Sequence, residues 1–107
     1  MKILLDECVT KHLKPHLKEY SVFTVNEMRW SGIKNGMLMS LCVENNFDIL
    51  LTIDKNLMYQ QNLPNYNITI AVLNGQTSKL NDIIPFMESF KFQVNSFEKK
   101  KAYLVEK

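Results

Sequence analysis

The sequence predicts an α/β protein, a three-layer α/β/α sandwich around a mainly parallel sheet of about four to five strands. Three observations point to it. Residues 49–53 form a near-continuous apolar run in which only Thr52 is polar, ending at Asp54; this is the pattern of a strand buried on both faces. Residues 2–5, Lys-Ile-Leu-Leu, repeat the arrangement and run into Asp6-Glu7. Around these, β-rich and helical segments alternate along the chain, which implies parallel strands joined by crossovers.

Each element has its own signal. After the first strand, Val9, Leu13 and Leu17 recur at i, i+4, i+8 and predict a helix over 8–20, with Pro15 as a kink or restart. Residues 21–25, Ser-Val-Phe-Thr-Val, predict strand two. Residues 26–36 have no period and carry two turn signals, Ser31-Gly32 and Asn35-Gly36. Trp30 in that stretch is expected to pack over the sheet edge, with stacking on a nucleobase as the other use of such a ring. A helix follows over 36–45, capped by Asn35, with Met37, Leu38, Leu41 and Cys42 facing inward. Residues 48–53 are strand three, 55–62 a short helix ended by Pro64, and 68–73 strand four. Thr77 or Ser78 caps a last helix whose inward face is Leu80, Ile83, Ile84, Met87 and Phe90, weakened in its middle by Pro85. Residues 101–106 suit an edge strand or an ordered arm.

At 107 residues the chain is one domain with room for a real core, a body over 1–90 and a basic extension over 91–107 packed on or beside it. Hydrophobic residues make up 46% and charged residues 22%, which excludes a largely disordered chain. No apolar run approaches the roughly 20 residues of a membrane span, and an acid at position 6 comes too early for a signal peptide. A cytoplasmic protein with no membrane partner is expected. Cys8 and Cys42 lack metal spacing and are expected to be reduced, buried thiols. His12 and His16 stand four apart, but Pro15 lies between them and no third ligand suggests itself. The net charge of +2 is uneven: the tail from Lys91 carries +3 and the body −1. Such a tail lends affinity for a polyanion or serves as a solvated end. The crossovers suit a small Rossmann-like sheet, yet with three glycines, none after the first strand, the dinucleotide fingerprint is missing.

Asp6, Glu7 and Asp54 therefore converge on the carboxyl edge of a parallel sheet, where open α/β sheets place ligands. Two readings are open for these acids. Clustered carboxylates suit Mg²⁺ or Mn²⁺, which takes one or two of them with waters and substrate phosphates and serves phosphodiester cleavage. Alternatively, Asp6 and Asp54 each cap the helix that follows.

The opening Met-Lys-Ile-Leu-Leu-Asp-Glu and the later Thr-Ile-Asp-Lys-Asn-Leu resemble, at this spacing and in this βα order, the small PIN-like proteins of bacteria. The likeness covers nearly all of residues 1–90. It implies a PIN-type fold and a magnesium- or manganese-dependent ribonuclease, often the toxin of a toxin–antitoxin pair. Carried over position by position, Asp6 and Asp54 are the catalytic acids, and Asp6, Glu7, Asn35 and Asp54 are the expected metal ligands. Lys55, Asn56, Gln60, Gln61 and Asn62 are the expected substrate contacts. RNA, an antitoxin-type protein and a second copy, through Met37–Met39 or the tail, are the implied partners, although the methionines also suit core packing. Two family acids are amides here, Asn35 and Asn56, which weakens a hard-cation site because ligand charge sets its affinity; Glu7 or Glu27 is placed to compensate. The alternative is a PIN-like module that binds RNA or protein through its amides without cleaving, and a purely structural reading leaves those amides to caps and turns.

Overall fold

The computed structural model describes residues 1–60 and 62–107. Gln61 lies outside the described residues. Five parallel strands run in the order β2-β1-β3-β4-β5: β1 (Lys2–Leu5), β2 (Ser21–Thr24), β3 (Ile49–Thr52), β4 (Thr69–Leu73) and β5 (Ala102–Val105). The central strands β3 and β4 are buried along their whole length, as the apolar runs require.

Side chains alternate between two cores. Ile3, Leu5, Ile49, Leu51, Ala71 and Leu73 face Leu13 and Leu17 together with Ile83, Phe86, Phe90 and Val94. Leu4, Leu50, Ile70 and Val72 face Leu38, Met39, Cys42, Leu57 and Leu63. The sandwich therefore has the expected three layers. β5 is the outer strand, in register Ile70↔Ala102 to Leu73↔Val105 with β4, so the tail completes the sheet.

The cores also fix the hand of the connections. The β1–β2 connection lies over the first core while the chain steps one way across the sheet, and β2–β3 and β3–β4 lie over the second while it steps the other way. These three share one hand. The β4–β5 connection steps the same way as β3–β4 but lies over the first core, so its hand is opposite, against the strong preference for right-handed crossovers.

Several helices differ from expectation. The first is a 3-10 helix, Lys11–Leu17, with Thr10 accepting from the His12 N–H and Pro15 inside it. Pro15 has no N–H to give an α-helical bond, so the tighter winding takes over. Helix α1 (Asn35–Glu44) begins at Asn35 with Lys34 as its N-cap and no side-chain cap; Asn35 is its first residue, not its cap. Met37 points outward at 62% exposed while Met39 is buried, because the turn places positions 38, 39 and 42 on the sheet side. The predicted helix over 55–62 is two 3-10 turns, Lys55–Tyr59 and Leu63–Asn65. The last helix is divided at Pro85 into α2 (Leu80–Ile83), a 3-10 turn and α3 (Met87–Gln93). Its cap is Lys79, since Thr77 uses its hydroxyl to accept the Lys79 N–H and to bond Asp82.

Candidate functional site

The chain leaves β1 towards β2 on one side and returns to β3 on the other, so the switch point lies between β1 and β3. Asp6 follows β1 there, its N–H donating to Leu51 O at 2.9 Å. Thr52, the last residue of β3, is fully buried. Its hydroxyl donates to Asp6 Oδ2 at 2.7 Å and accepts the Asp54 N–H at 3.0 Å. One hydroxyl thus joins the ends of both strands. Asp6 Oδ1 also accepts the Glu7 N–H at 2.8 Å. Asp54 caps the Lys55–Tyr59 turn, Oδ1 accepting the Asn56 N–H at 3.0 Å, so the capping reading holds for Asp54. Among the described residues, no ion pair neutralises Asp6 or Asp54.

Cys8 belongs to this cluster, which the sequence reading missed. It is exposed, with Sγ 3.6 Å from Asp6 Oδ2 and 3.5 Å from Thr52 Oγ1. Partial burial raises its thiol pKa, and the Asp6 charge adds to the rise. The signal was available, because a residue two after Asp6 shares its turn. Cys42 is buried as expected; burial, helped by the Asp6 carboxylate, pushes its pKa up to about 12. The alternation of β1, with Leu4 facing α1 and Leu5 the other core, sets Asp6 on the α1 side of the sheet.

The other expected residues are placed as follows. Glu7 Oε1 accepts the Gly32 N–H at 2.8 Å. Glu27 Oε1 takes the Lys14 ammonium at 2.8 Å and the Thr24 N–H at 3.0 Å, which hold its carboxyl below the usual range, the lysine contributing most; it fastens a loop and does not replace a missing ligand. Asn35 opens α1. Lys55 does not reach toward a phosphate: its Nζ donates to Gly75 O at 2.7 Å. Asn56 is exposed. Gln60 ends the Lys55–Tyr59 turn, its carbonyl accepting the Leu63 N–H at 3.3 Å, and Asn62 leads the next turn.

The basic tail lies elsewhere. Lys99, Lys100 and Lys101 precede β5, at the amino edge of the sheet and opposite Asp6. Lys99 pairs with Asp48 at 3.0 Å and Lys101 with Glu98 at 3.2 Å. These three of the tail's five lysines therefore lie at the sheet edge away from Asp6. Trp30 packs edge-on against Phe47, centroids 5.9 Å apart, as expected of a packing ring.

Beside Asp6 a groove of about 510 Å³ opens, walled by Asp6, Glu7 and Val9 to Lys11 on one side and Thr24 to Glu27 on the other. Among the described residues, no three His, Cys, Asp or Glu side chains gather as an ion cage. Asp6 and Asp54 are linked through Thr52, and each carboxylate also accepts a backbone N–H of its own turn.

Fold and edge define a small all-parallel α/β protein with two carboxylates, Asp6 and Asp54, at its switch point. Comparison with family models, characterised proteins and solved structures finds no match to this chain. Among the described residues, no helix is long and apolar enough to cross a membrane.

Proposed function

We propose that this chain is a PIN-like protein acting as a slow, divalent-cation-dependent endoribonuclease, of the toxin type, at the carboxyl edge beside Asp6 and Asp54. The observation that supports this is the Thr52 hydroxyl, which ties Asp6 to the start of Asp54, two acids that no ion pair neutralises among the described residues. An edge of this charge repels an RNA backbone unless a cation intervenes. Mg²⁺ or Mn²⁺ held by Asp6 and Asp54 would supply an activated water and neutralise phosphoryl oxygens. Asp6 and Asp54 are the binding groups, and Thr52 holds Asp6 Oδ2 in place. Asn35 and Asn56 offer neutral carbonyls, so affinity is low and turnover slow. An antitoxin-type protein and a second copy are the partners this reading implies.

A second reading, a PIN-like module that binds RNA or protein without cleaving, is favoured by Glu7 and Lys55 being engaged within the chain. Calorimetric titration with Mn²⁺ and Mg²⁺ separates the two. Micromolar to low-millimolar binding that disappears in Asp6→Asn, with metal-dependent RNA cleavage lost in Asp54→Asn, supports the nuclease. No heat at millimolar metal replaces it with the binding module.

A further inference from the structure

We propose that Glu7 is a latch, whose bond to Gly32 sets the position of the segment 31–34 and so of the amino end of α1. The loop between β2 and α1 is anchored at its base by the body of the protein. The Met28 N–H donates to Thr24 O at 3.2 Å and the Trp30 N–H to Val25 O at 3.0 Å. Trp30 packs on Phe47, and Glu27 binds Lys14. Beyond Trp30 the hydrogen bonds to the body thin out, and Ile33 packs partly buried against the second core. The Ile33 N–H returns only to Trp30 O at 3.1 Å, within the loop. Ser31 bonds Asn26, also within it.

The bond that reaches from this segment to another strand end is Gly32 N–H to Glu7 Oε1, spanning 25 positions at 2.8 Å. Gly32 sits at φ +80° with open space where a Cβ would stand, so conformation and not crowding demands glycine there. A left-handed residue held by one charged acceptor is a hinge closed from outside. Lys34, two residues on, is the N-cap of α1: its carbonyl accepts the Leu38 N–H at 2.8 Å. Glu7 also lines the groove beside Asp6. Releasing it therefore loosens α1's first turn and Asn35 and frees a carboxylate that lines the groove. The latch stands whether or not the edge cleaves RNA.

Amide hydrogen exchange on the full chain tests it. In Glu7→Ala the Gly32 and Leu38 amides should exchange about tenfold or more faster, the scale of losing a charge-assisted bond, with the Trp30 amide unchanged. Glu7→Gln keeps an acceptor oxygen and should stay close to wild type. An unchanged Leu38 amide in Glu7→Ala overturns the latch, as does equal loosening in Glu7→Gln. A Trp30 amide that speeds up together with Leu38 also overturns it, because the loosening is then general.

Discussion

Thr52 donates its buried hydroxyl to Asp6 across the seam between β3 and β1, at 2.7 Å. The same oxygen receives the Asp54 N–H, so the strand ends are set relative to each other by one side chain. Thr52→Val keeps the shape and leaves the Asp54 N–H without that acceptor. It should lower stability by about 1–3 kcal/mol, measured by urea denaturation. Thr52→Ser should recover most of the loss. Equal stability of Thr52→Val and wild type would mean that water replaces the hydroxyl without cost.

The two thiols should react differently. Native protein treated with iodoacetamide should take one adduct, at Cys8, and two once unfolded, as read by mass spectrometry. Cys42 also gives an alkaline signature. Its folded pKa, about 12, lies above the ordinary 9.0, so its contribution to stability is complete below pH 9.0 and is lost as pH rises towards about 12. The shift corresponds to something on the order of 4 kcal/mol. Cys42→Ala should show a shallower loss of stability over that window than wild type.

At the acid end, Asp48 accepts the Lys2 N–H at 2.8 Å and the Lys99 ammonium at 3.0 Å. Partial burial alone would raise its pKa, but these bonds outweigh it and hold it below the usual value. Its contribution is therefore present above the unfolded carboxylate value and disappears as pH falls through the folded one. Asp48→Asn should flatten the acid limb of the stability profile; an unaltered limb would place the acid sensitivity elsewhere.

Phe90 and Phe92 make a sharper contrast. Phe90 is fully buried and meets Tyr20 and Phe97 edge-on, each at 6.3 Å. Phe90→Ala should cost about 3–5 kcal/mol. Phe92 is 89% exposed, and Phe92→Ala should stay within about 0.5 kcal/mol of wild type. A large loss in Phe92→Ala would reveal a partner on that face.

The strands were legible because burial on both faces leaves unbroken apolar runs, as at 49–53 and 68–73. The helical layers were less so. Pro15 and Pro85 fall between the apolar positions of their segments, and that spacing alone does not report that a missing N–H turns an α-helix into 3-10 winding. At the edge, Asp6 and Asp54 were found because an acid after a buried strand is conspicuous. What Glu7 and Lys55 touch was not, since Gly32 and Gly75 O are distant in sequence and approach only through the fold. Where the lysines at 99–101 stand was hidden for a similar reason: their charge is visible in the sequence, but the sheet edge they occupy depends on β5 pairing parallel to β4.

The reversed hand of the β4–β5 connection has a consequence for assembly order. β5 can join only when β4 already presents both its free side and the face on which α3 lies. A chain that has reached this stage carries Thr69–Leu73, a strand buried along its whole length in the finished fold, as an open border. Such a border is a template for a neighbour's strand. The interval before β5 closes is thus when this protein is most exposed to aggregation, and the speed of the final crossover governs its yield on refolding.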